Sequence, residues 1–187
     1  MRGERLEKAL IEHCAPTLAG IKSAGLFSYF HTDETRAREE LREVNATLNE
    51  RGVYVEALVW REASVLIYAY RQSHLEKELR QNGVSELLEP YGYEDVSVDG
   101  CLNHLKERVA HNSCFPHEIG AFLGYPLEDV KGFIEHGGRD CKSCGLWKVY
   151  CDTAYAQRLF DKMSKCSRVY RQVFLQGRSL AQLTVCA

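Results

Sequence analysis

The sequence predicts an α+β fold, mostly helical, in which helices cover a small antiparallel sheet made of a hairpin plus one late strand. Three observations predict it. Most apolar residues recur at three- and four-residue steps, the period of helices buried on one face. Two adjacent runs, VYVEALVW and SVLIYAYR, are instead rich in β-branched and aromatic residues and flank the polar step Arg61 and Glu62, the pattern of a β-hairpin. A later run, LWKVYC, reads as a further strand.

In chain order, Leu6, Leu10, Ile11 and Cys14 give residues 4–14 an amphipathic helix that should end before Pro16. The next segment, APTLAGIKSAGLFSYF, mixes Pro16, Gly20 and Gly25 with apolar side chains and reads as a partly buried loop. Thr32 or Asp33 can cap a second helix whose inner face is Ala37, Leu41, Val44 and Leu48 and whose stop is Gly52. After the hairpin, Ser73 and Glu76 form a capping box for a helix carrying Leu75 and Leu79 and ended by Gly83. SELLE continues helically to Pro90, and residues 97–111 make another helix through Cys101, Leu105 and Val109. Asp152 caps a last long helix, periodic from Ala156 to Phe174 and closed by Gly177.

A chain of 187 residues can bury one substantial core, and with 45% hydrophobic residues, 27% charged residues and only 4 prolines it is expected to be one domain, 1–187, and not disordered. The formal charge of −2 supplies no general attraction to nucleic acid or anionic lipid. No apolar run approaches the roughly 20 residues that span a bilayer. The N-terminal MRGERLEKALIEHCAP has no apolar signal region, so a cytoplasmic location is expected. In that setting the 8 cysteines are expected to be thiols, metal ligands or redox groups and not a disulfide scaffold.

The densest local logic lies in CFPHEIGAFLGYPLEDVKGFIEH, Cys114 to His136, which reads as two short helices and a glycine corner. Pro116 suits the first position of a helix. That places His117 and Glu118 in the opening turn, where the helix dipole favours a neutral imidazole, with Cys114 just outside it.

Three blocks, HCAPTLAGIKSAGLFSY, FPHEIGAFLGYPLEDVKGFI and CGLWKVY, together resemble an uncharacterised bacterial family, domain of unknown function three-seven-nine-three, found mostly in anaerobes. The match covers nearly the whole chain. The resemblance implies a complete one-domain protein and places His13, Cys14, Lys22, His117, Glu118, Trp147 and Lys148 in the segments that carry it. It implies no particular activity or cofactor.

Three functional readings compete with plain packing. In the leading one, Cys114, His117 and Glu118 line a pocket for a small ligand, cofactor or metal, joined by His13, Cys14, Lys22 and Arg71 and by Trp147 and Lys148. Cys114 and His117 together with the CxxC of Cys141 and Cys144 are its candidate metal ligands, since zinc is commonly held by two close Cys or His pairs. Turnover of a substrate is left open. The second reading is a helix-turn-helix DNA-binding regulator using residues 116–135. The glycine spacing fits, but LEDVKGFIEH is acidic where a recognition helix wants Arg, Lys, Asn or Gln. The third is a protein-interaction adaptor without a ligand.

Overall fold

A computed structural model describes residues 4–95, 97–111 and 115–186. The chain divides into two compact units, one formed by residues up to His74 together with those from Lys165 onward, the other by Leu75–Ser164.

In the first unit, helix α1 (Glu4–Leu18) leads into strand β1 (Ala24–Phe30) and then helix α2 (Glu34–Leu48). A 3-10 turn at Asn49–Arg51 and the left-handed Gly52 connect α2 to strands β2 (Val53–Arg61) and β3 (Ser64–Arg71). The sheet is antiparallel in the order β1-β3-β2, with Ile67 of the central strand facing both Phe27 and Ala57. Because strand side chains alternate, Val65, Ile67 and Ala69 lie on one face of β3. There they join a core with Leu6, Leu10, Cys14 and Leu18 of α1 and Ala37, Val44 and Leu48 of α2. Asp33 caps α2, its carboxylate accepting the Arg36 N–H at 3.3 Å. The fold class is α+β, as the sequence predicts.

Two local expectations for this unit are corrected. Pro16 does not stop α1, which runs on to Leu18. The extension is held by a side chain distant in sequence: Arg71, 1% exposed, donates from Nε to Thr17 O at 2.6 Å and from Nη2 to Leu18 O at 2.6 Å. These are carbonyls at the end of the helix, which have no partner within it. The segment read as a loop contains β1, an edge strand of the sheet. Gly25 sits inside it because a Cβ there would lie 2.6 Å from Cys14 Sγ, so the glycine marks the close approach of strand to helix.

The second unit continues helix α3 (Gln72–Leu79) and adds α4 (Val84–Leu88), a 3-10 turn at Glu89–Tyr91 and α5 (Val98–His111). Next come the one-turn helix α6 (Ile119–Phe122), α7 (Leu127–Glu135), the two-residue strands β4 (Ser143–Cys144) and β5 (Lys148–Val149), and the start of α8 (Thr153–Leu175). LWKVYC does contain a strand, β5, which pairs with β4 in a ribbon of its own. Asp152 caps α8, accepting the Tyr155 N–H at 2.9 Å. No helix among the described residues is long and apolar enough to cross a membrane.

The corner predicted at residues 116–135 forms, but its first helix starts at Ile119, and His117 and Glu118 belong to the preceding turn. His117 therefore stands ahead of the helix and not in its opening turn. Gly124 takes a left-handed φ of 68°, and Tyr125 N–H returns to Gly120 O at 3.0 Å. A Cβ on Gly120 would stand 2.9 Å from Val130 Cγ2, so the glycine spacing reflects helix-to-helix contact.

Candidate functional site

The second unit contains a cavity of about 270 Å³. The turn before α6 contributes Phe115, Pro116 and His117, α6 contributes Ile119 and Gly120, and Tyr125 follows at the glycine corner. Helix α7 supplies Asp129, Val130 and Phe133, and the β4–β5 ribbon supplies Cys144, Gly145, Leu146, Trp147 and Lys148. Its wall is chiefly apolar, with rings from Phe115, Tyr125, Phe133 and Trp147. Trp147 stacks on Tyr125 with centroids 4.9 Å apart and meets Phe160 edge-on at 4.5 Å. His117 packs edge-on to Phe133 at 5.0 Å. Phe115 is 44% and Leu146 52% exposed.

Asp129 organises this wall. It is buried, and Oδ2 accepts the Trp147 indole N–H at 2.8 Å while Oδ1 accepts the backbone N–H groups of Tyr150 at 2.8 Å and Cys151 at 3.0 Å. One carboxylate therefore fixes the indole and the ribbon backbone against α7. Gly132, one turn along the helix, completes the seat: a Cβ there would lie 2.5 Å from Tyr150 Cγ. Gly132→Ala is expected to destabilise the protein by about 1–3 kcal/mol through overpacking, read as a lower urea midpoint at unchanged slope.

Among the sequence candidates, His117, Trp147 and Lys148 line the cavity together with Cys144 of the CxxC. Lys148 donates from Nζ to Gly138 O and lies 5.9 Å from the Phe133 ring centroid. Glu118 does not line the cavity. It is fully buried, and its Oε1 accepts from Arg108 Nε and from Tyr93 OH at 3.4 Å. Burial first, and then the Glu118 charge, raise the Tyr93 phenol pKa. Burial works against the Arg108 cation, yet the hydrogen bond and charge of Glu118 outweigh it and raise the Arg108 pKa. Cys114 lies outside the described residues. Among the described residues no three His, Cys, Asp or Glu side chains converge as metal ligands would, and the described cysteines are free thiols.

His13, Cys14, Lys22 and Arg71 belong to the first unit. His13 is exposed on α1 and stacks on Phe27, centroids 4.9 Å apart. Arg71, a pocket candidate in the sequence, directs its bonds to backbone carbonyls: besides Thr17 and Leu18, Nη2 reaches Val185 O at 2.7 Å. Cys14 is fully buried. Burial pushes its thiol up to about 12, with the Lys22 charge opposing, and pulls the Lys22 ammonium down to about 8, with Cys14 opposing.

Those two shifts predict a pH signature. Between about 8 and 10.5 the unfolded chain keeps a proton on Lys22 that the folded chain has released, so stability rises with pH. Between 9.0 and about 12 the folded chain keeps the Cys14 proton that the unfolded chain has lost, so stability falls. Lys22→Met should therefore abolish a rise between pH 8 and 9 in urea-unfolding free energy, and Cys14→Ala should lessen the fall above pH 10.5. An identical pH profile in both variants and the parent would contradict the burial of this pair.

The family model described as Protein of unknown function (DUF3793) matches residues 10–184. The chain belongs to this family. No curated protein and no solved structure matches the DUF3793 chain. Its functional reading therefore rests on the cavity itself. Sequence reasoning had missed Phe115, Tyr125, Asp129, Phe133 and Leu146 as parts of a site. A signal existed for Asp129: it shares the helical stripe of Pro126, Val130 and Phe133, and an acid within an apolar stripe calls for buried donors. In the sequence it instead figured only among the acidic residues of LEDVKGFIEH that weigh against a recognition helix.

Proposed function

We propose that this protein is a cytosolic ligand-binding protein whose second unit holds a small, largely apolar molecule in the cavity between α6, α7 and the β4–β5 ribbon. The observation that carries this reading is the cavity's composition. Aromatic and aliphatic side chains form most of the wall, while His117, Cys144 and Lys148 supply a few polar groups, the usual makeup of a small-molecule site. The free thiols of the described cysteines favour a reducing compartment. The helix-turn-helix alternative has less support, because α6 is a single turn and α7 commits Asp129, Val130 and Gly132 to burial.

Calorimetric titration with the neutral aromatic probes indole and 2-naphthol tests the reading. One saturable site is expected, weakened at least fivefold by Phe133→Ala, which removes a ring from the wall. Absence of saturable binding, or binding indifferent to Phe133→Ala, would remove the cavity as the site.

A further inference from the structure

We infer that the ligand of this cavity is a planar aromatic anion of one or two rings, carrying its carboxylate or equivalent group to Lys148. The inference rests on the ligand-binding reading above and adds the chemistry of the occupant.

The rings argue for a flat body. Phe115, Tyr125, Phe133 and Trp147 all border the space, and aromatic pairs favour offset-stacked or edge-on contacts that a planar guest can extend. The volume of about 270 Å³ lies at the small end of ligand sites, which run from about 300 to 1,000 Å³, so the guest is small.

Charge argues for the anion. Two groups bordering the cavity carry formal charge at neutral pH, Asp129 and Lys148, and they differ in what they have left to offer. The Asp129 carboxylate already accepts three N–H groups, two on Oδ1 and one on Oδ2, and serves the wall. Lys148 donates one hydrogen bond, to Gly138 O, whereas an ammonium carries three donors. Among the described residues no carboxylate lies within ion-pair distance of Lys148. Its cation at an apolar wall is thus answered by one carbonyl dipole and, at 5.9 Å, the Phe133 ring, and a guest bearing a negative charge would complete its pairing. An ion pair of this kind is stronger beside an apolar wall than in open water. His117, edge-on to the Phe133 ring and also bordering the cavity, can donate a further hydrogen bond to the guest.

The test compares 2-naphthoate with its neutral isostere 2-naphthamide by calorimetry on the full chain. The expected result is that naphthoate binds at least tenfold more tightly. Lys148→Met should erase that preference by weakening naphthoate at least tenfold relative to naphthamide, and Lys148→Arg should keep it. Thermal unfolding of both variants checks that the fold survives. If naphthamide binds as well as naphthoate, the anion assignment is overturned and the cavity reading stands. A preference for naphthoate that persists in Lys148→Met overturns the role of Lys148. If neither compound binds, the cavity reading falls and the inference with it.

Discussion

Arg71→Met is expected to lower the unfolding free energy by about 3–5 kcal/mol, a large share of the roughly 5–15 kcal/mol that stabilises a folded domain. The side chain is 1% exposed, and three carbonyls, from Thr17, Leu18 and Val185, depend on its guanidinium. Methionine fills much of the same volume but leaves these acceptors without their donor, and a buried polar group left unsatisfied costs about 1–3 kcal/mol. Removing the charge returns part of this by ending its desolvation, which keeps the total below the sum of three such losses. Arg71→Lys should fall in between, because one compact ammonium cannot reproduce a planar fork that reaches carbonyls on both the α1 end and the C-terminal segment. Urea unfolding followed by circular dichroism measures both variants. A loss of less than about 1 kcal/mol for Arg71→Met would show that the carbonyls find other donors.

Asp129→Asn should have an effect of similar size on stability and a larger one on the site. Hydrogen bonds to a charged acceptor are worth about 1.5–3 kcal/mol each, and an amide can keep only some of the three while its own NH2 group faces other N–H donors. A destabilisation of about 3–4 kcal/mol is expected. With Trp60→Phe leaving Trp147 as the sole indole, its emission should shift to the red as the ring loses its anchor, and saturable 2-naphthol binding should disappear. Unchanged emission together with unchanged binding would mean that the ribbon holds its place without the carboxylate.

These two residues also show what could not be read in advance. Arg71 ends the strand run SVLIYAYR, and its sequence neighbours say nothing of the α1 carbonyls that it serves, which lie more than 50 positions away. The same contact explains why Pro16 failed as a stop signal. A proline ends a helix locally, but here the final turn is secured by a tertiary donor that no local rule contains. Gly25 misled for a related reason. Glycine in a candidate strand argues against the strand on propensity, whereas in the folded unit it is what lets β1 pass Cys14.

By itself the sequence determined the α+β class, the hairpin of β2 and β3, the capped starts of α2 and α8 and the glycine corner between α6 and α7. All of these depend on periodicity, caps or turn residues within a few positions of each other. It also brought His117, Trp147 and Lys148 forward as residues of interest. Only the tertiary structure decided that Glu118 turns to Arg108 and Tyr93, that Cys14 is sealed in a core, and that Asp129 holds an aromatic cavity together. The physical reason is that a buried polar group is defined by its partners, and here those partners come from segments about 10 to 25 residues away or more.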